Sequence, residues 1–87
     1  MKVTKRNGNI TVYDDDRVSV SILKANEGVP WEDLTPAKAK NIAGVVFERL
    51  TAQNEIITTD EIRSCVNDVL FEFGFPLTAR NYMDYKK

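Results

Sequence analysis

The side chains best suited to chemistry in this chain are three cations near its start, Lys5, Arg6 and Arg17, together with Thr59 and Arg63 farther along. Cations and hydroxyls of this kind hold a phosphorylated ligand through charge and hydrogen bonds without breaking any bond in it. Covalent chemistry is poorly provided for. Histidine is absent and Cys65 is the single cysteine, so neither a Ser-His nor a Cys-His nucleophile pair can form, and a structural zinc site lacks ligands. No catalytic residue and no metal ligand set is assigned.

Each of these side chains also has a plain structural reading. Arg17 either pairs with Asp14 or Asp16 or turns toward a ligand. Thr59 either only caps a helix or also reaches one. Arg63 is either solvated or directed inward, on the same side as Thr59 because residues four apart on a helix are neighbours. Asp14, Asp15 and Asp16 form the one acidic run, better suited to capping a helix than to chelating a metal. The functional reading gains only if these groups converge.

The elements that would bring them together begin with a hairpin. Asn7-Gly8 stands between two short runs rich in β-branched residues, the strongest short-range signal for a two-residue turn. That turn sets Arg6 opposite Asn9, Lys5 opposite Ile10, Thr4 opposite Thr11 and Val3 opposite Val12. One face then carries Val3, Lys5, Ile10 and Val12, because opposed and alternate residues share a face. Lys5 is the odd member of it. It either snorkels to the sheet edge or meets an anion beneath the sheet.

A first helix is expected from the Asp14–Asp16 run to about Gly28, with Val18, Ile22 and Ala25 inward. Trp31 follows in a connector and is expected to pack over a helix end. Thr35-Pro36 caps and starts a second helix, whose apolar stripe runs from Ala39 to Leu50 and ends near Gln53. Ile56-Ile57-Thr58 reads as a third strand. Thr59 then caps a third helix with Ile62, Val66, Val69, Leu70 and Phe73 inward, ending at Gly74, and Pro76 opens a last helix through Ala79, Tyr82 and Met83. The fold class is α+β, a four-helix bundle capped by a small three-stranded sheet that begins with the N-terminal hairpin. If the third strand joins the hairpin, the N-termini of the first and third helices both lie under the sheet, a favourable place for an anion.

Length and composition agree with one domain spanning residues 1–87. The chain is 43% hydrophobic and 29% charged with a formal net charge of −1, so its overall field does not attract nucleic acid. A single cysteine suits a reducing compartment, and neither a signal-peptide core nor a membrane-length apolar run is present. A cytoplasmic location without membrane or nucleic-acid partners is expected.

In order and spacing the chain resembles the ATP-cone, the nucleotide-binding regulatory domain of many ribonucleotide reductases and of the repressor of their genes. Val3-Thr4-Lys5-Arg6-Asn7-Gly8 matches the family's opening hairpin. Tyr13, the Asp14–Asp16 run, Arg17-Val18 and Ser21-Ile22-Leu23-Lys24-Ala25 match the segment after it. Ile57-Thr58-Thr59-Asp60-Glu61-Ile62, Val66 to Leu70 with Gly74, and Ala79 to Lys86 match the later blocks.

The resemblance implies binding of ATP or dATP, usually with Mg²⁺, and allosteric reporting to a ribonucleotide reductase catalytic chain or through self-association. By matched position Lys5, Arg6 and Arg17 would hold phosphate. Val3, Val18 and Ile62 would border the base, Thr59 and Arg63 would contact base or sugar, and Lys87 falls near a basic position that ends the motif. Two departures stand out. Arg17 replaces the commoner lysine, and Asp15 sits where a basic residue is often found, adding a negative charge near the expected phosphates. The alternative is a degenerate cone that has lost its nucleotide and docks a protein through a surface around Trp31, Phe71 and Phe75.

Overall fold

The computed structural model describes residues 2–4, 8–52 and 56–85. Lys5, Arg6, Asn7, Lys86 and Lys87 lie outside the described residues, as does the expected helix end at Gln53. The described elements run β1 (Lys2–Thr4), β2 (Ile10–Val12), α1 (Asp15–Asn26), a 3₁₀ turn (Pro30–Glu32), α2 (Pro36–Thr51), β3 (Ile56–Thr58), α3 (Thr59–Glu72) and α4 (Pro76–Tyr85). The class is α+β, as expected. α1 and α3 each pack against α2 and α4, so the four helices stand in a square. The sheet has the order β2-β1-β3, with β2 antiparallel and β3 parallel to the central strand.

The hairpin register differs from that of a two-residue Asn-Gly turn. Val3 stands opposite Thr11, and Thr4 opposite Ile10. A one-residue slip sends every side chain of a strand to the other face, and Ile10 and Val12 are accordingly 63% and 69% exposed. Gly8 has φ +87°, a left-handed geometry that glycine adopts without a steric penalty. The inner face is set from the parallel side, where Val3 pairs with Ile57 and both are buried.

Local chemistry explains where the helices start and stop. Asp14 caps α1, its carboxylate accepting from the Asp16 and Arg17 amides at 2.9 and 3.3 Å. Thr35 caps α2 through the Lys38 amide, with Pro36 at the first position. The cap of α3 is Thr58 rather than Thr59. Thr58 Oγ1 accepts from the Glu61 amide and the Glu61 carboxylate returns to the Thr58 amide, a capping box that leaves Thr59 as the first helical residue. α3 closes with the Gly74 amide donating to Phe71 O and the Phe75 amide to Leu70 O, and Gly74 has φ +88°. This is the Schellman arrangement, in which glycine bears the left-handed residue.

Ile22, Ile42, Val46, Ile57, Val66, Val69 and Leu70 are fully buried at the centre. Three expectations about apolar residues are corrected. Trp31 covers no helix end and is 71% exposed, because the 3₁₀ turn that carries it buries none of its residues. Phe73 lies beyond the inner stripe of α3, at the C-cap, and is 41% exposed. Phe75 belongs to the core instead of a docking surface.

α4 is capped from a distance. Glu32, in the 3₁₀ turn, accepts from the Leu77 amide at 2.9 Å and from the Thr78 amide and hydroxyl at 2.7 Å. Asn26 Nδ2 donates to the same hydroxyl at 3.1 Å. Partial desolvation raises the Glu32 pKa, but these hydrogen bonds outweigh it and hold the carboxylate below its usual range. A carboxylate depressed in the folded state contributes stability that is complete above its unfolded pKa and is lost as pH falls through the folded one. The thermal midpoint should therefore fall between about pH 5 and pH 3 more steeply in the wild type than in Glu32→Gln. Equal slopes in circular dichroism melts would remove Glu32 as an acid-sensitive clamp on α4.

Candidate functional site

A cavity of about 720 Å³ lies under the sheet, within the range of small-molecule sites. β1 contributes Val3 and β2 contributes Thr11 and Val12. The turn into α1 adds Tyr13 and Asp14, α1 adds the face from Asp16 to Lys24, and α3 and α4 supply the remainder, with Tyr82 coming from α4. Of the residues singled out from sequence, Val3, Arg17, Val18, Thr59, Ile62 and Arg63 all line this one cavity. Lys5, Arg6 and Lys87 lie outside the described residues.

The structural alternatives for these side chains separate. Among the described residues the Arg17 guanidinium makes no ion pair. Its candidate partners are engaged elsewhere: Asp14 caps α1, and Asp16 lies 4.0 Å from Lys40. Thr59 is relieved of capping by Thr58. Arg63 is not a solvated surface residue, with only 17% of its side chain exposed. Nη1 reaches Asp60 at 3.4 Å, Nη2 donates to Met83 O at 3.3 Å, and Nε is buried without a partner. Arg63 thereby ties α3 to α4 along the cavity wall.

Among the described residues, charge in the cavity comes from Arg17, Lys24 and Arg63 against Asp14 and Asp16. The Asp14 charge is partly met by the amides it caps. Asp15 does not line the cavity. It borders a neighbouring depression with Asp14, Asp16 and Lys40, and its charge still acts on Tyr13 in the cavity wall. Among the described residues no group of three or more His, Cys, Asp or Glu could hold a metal ion.

Sequence reasoning passed over Ser21, Lys24, Tyr13 and Tyr82 as lining residues. Ser21 and Lys24 could have been found, since they follow Arg17 at helical spacing and share its face. Tyr13 and Tyr82 are buried; the expected hairpin register set Tyr13 on the face opposite Val3, and Tyr82 fell on the stripe of the last helix. Tyr13 donates to Ala43 O at 2.9 Å and its ring lies 5.4 Å from that of Phe47. Burial, then the charge of Asp15, raises its pKa well beyond the usual tyrosine value, so it stays a neutral donor.

A small mixed sheet roofs a cavity in which cations from α1 and α3 stand beside apolar groups, an arrangement suited to holding a ligand without covalent chemistry. The family model for the ATP cone domain matches residues 1–87, and the chain belongs to that family. ATP-cone domains are in general nucleotide-binding allosteric regulatory modules, typically for ATP or dATP, rather than catalytic units. No curated protein matched the chain. No helix among the described residues is long and apolar enough to cross a membrane.

Proposed function

We propose that this chain binds ATP or dATP, with Mg²⁺ on the phosphates, in the cavity beneath the sheet, and that it acts in the cytoplasm as an allosteric sensor. The observation that carries the reading is the convergence of Val3, Arg17, Val18, Thr59, Ile62 and Arg63, drawn from distant parts of the chain, on one cavity. Arg17, with Lys5 and Arg6, holds the phosphates. Val3, Val18 and Ile62 border the base, Thr59 and Arg63 contact base or sugar, and Lys87 adds charge at the end of the motif. The state of the site is passed to a ribonucleotide reductase catalytic chain or into self-association. ATP and dATP differ only at the 2′-hydroxyl, so a switch between them requires that each stabilise a different arrangement or oligomer.

Calorimetric titration with ATP and dATP in the presence of Mg²⁺ tests this, repeated on Lys5→Ala. Micromolar binding in the wild type that is lost in the variant is the expected result. Absence of heat at millimolar nucleotide would instead favour a module that docks a partner through exposed groups such as Trp31 and Phe71.

A further inference from the structure

Tyr82 lines the cavity and is only 3% exposed. Unlike the Tyr13 hydroxyl, which is taken up by Ala43 O, the Tyr82 hydroxyl makes no hydrogen bond with any described residue. Tyr82 keeps 3% of its surface and stands in the lining of the cavity. Burial raises its pKa and the nearby charge of Arg63 opposes the rise, so the group is a neutral phenol near pH 7.

We propose that the Tyr82 hydroxyl, beside Arg63, is a recognition group on the cavity wall that hydrogen-bonds the nucleoside end of the bound nucleotide, at the sugar or the base edge. The inference rests on the nucleotide reading above. A ligand that fills the cavity strips water from this hydroxyl, and a buried hydroxyl left without a partner is costly. The ligand must therefore offer a donor or acceptor at that place. The nucleoside end is assigned because Tyr82 and Arg63 line the cavity from α4 and α3, whereas Arg17 and Lys24, the cations suited to phosphate, line it from α1.

Tyr82→Phe removes the hydroxyl and keeps the ring in the core. Titrating wild type and variant with ATP, dATP and inorganic tripolyphosphate, each with Mg²⁺, should show ATP binding weakened about tenfold, or about 1.4 kcal/mol, with tripolyphosphate affinity unchanged. A loss confined to ATP supports the assignment and identifies the 2′-hydroxyl as partner; a loss shared with dATP supports it and places the contact on the base or the rest of the sugar. Unchanged ATP affinity in a variant with a wild-type melting curve overturns the proposal, and so does an equal loss for tripolyphosphate. A wild type that binds neither nucleotide overturns the nucleotide reading itself and this assignment with it, a result visible before any variant is made.

Discussion

Arg17→Glu is expected to weaken ATP binding about 100-fold while leaving the fold intact. Arg17 lines the cavity and has no ion pair among the described residues, so its removal strands no protein carboxylate. Glutamate in the first turn of α1 joins Asp15 and Asp16 at the positive end of the helix dipole, where negative charge is tolerated. At about 6 Å a unit charge pair is worth about 2–3 kcal/mol at an effective dielectric near 20, and the exposure of Arg17 reduces that by solvent screening. Reversal removes an attraction and adds a repulsion, so a net loss of about 3 kcal/mol, close to a hundredfold in affinity, is reasonable. Arg17→Lys keeps the charge without the planar fork and should lose much less. Arg80, exposed on α4 and outside the cavity lining, is the control: Arg80→Glu makes the same change in net charge and should leave affinity nearly unaltered. Equal losses at both positions would mean that only the overall field of the molecule attracts the nucleotide, and the local phosphate role of Arg17 would fall.

Leu70→Ala should produce the largest loss of stability. Leu70 is fully buried in α3, the helix that packs against both α2 and α4, and its carbonyl receives the Phe75 amide that closes the helix at 2.8 Å. The alanine keeps that backbone bond and leaves a cavity among residues from several helices. Buried leucine-to-alanine changes cost about 3–5 kcal/mol depending on how far the site collapses. A domain of this size has about 5–15 kcal/mol in total, so the change takes a large share. A fall in thermal midpoint of about 12–25 °C is expected, with an unchanged denaturant slope if the transition stays two-state. A fall of only a few degrees would show that the bundle repacks around the gap.

Between them these substitutions separate what the site needs from what the fold needs, and much of that division was legible in the residues. Helix limits followed from local groups, namely the Asp14 cap, Thr35 with Pro36, and Gly74 at the close of α3. Such signals act within a turn of the chain and need no tertiary context. The apolar stripes of α2 and α3 were readable for the same reason, with the exception of Phe73, which stands one position past the helix end and escapes its period. Composition narrowed the chemistry, since a chain without histidine and with one cysteine lacks the residues for a Ser-His or Cys-His pair or a structural zinc site.

Tertiary structure decided what depends on contacts between distant segments. The hairpin register could not be taken from Asn7-Gly8, because the inner face is chosen by the pairing of Val3 with Ile57, more than fifty residues away. The choice of Thr58 over Thr59 as the cap of α3, by contrast, was local, since Glu61 stands three residues after Thr58 to complete a capping box and Ile62 stands three after Thr59. Glu32 caps a helix to which it is not adjacent in sequence. Tyr82 satisfies the helical period of a core residue, and its position at a cavity arises only when α4 docks against α3 beneath the sheet. By itself the sequence specified the α+β class and most of the helix limits, because those depend on near neighbours and residue type, and it carried a resemblance to the ATP-cone family in motif order and spacing. The cavity, and the lack of a partner among the described residues for the Arg17 guanidinium and the Tyr82 hydroxyl, depend on which segments pack together, and that is a property of the folded chain alone.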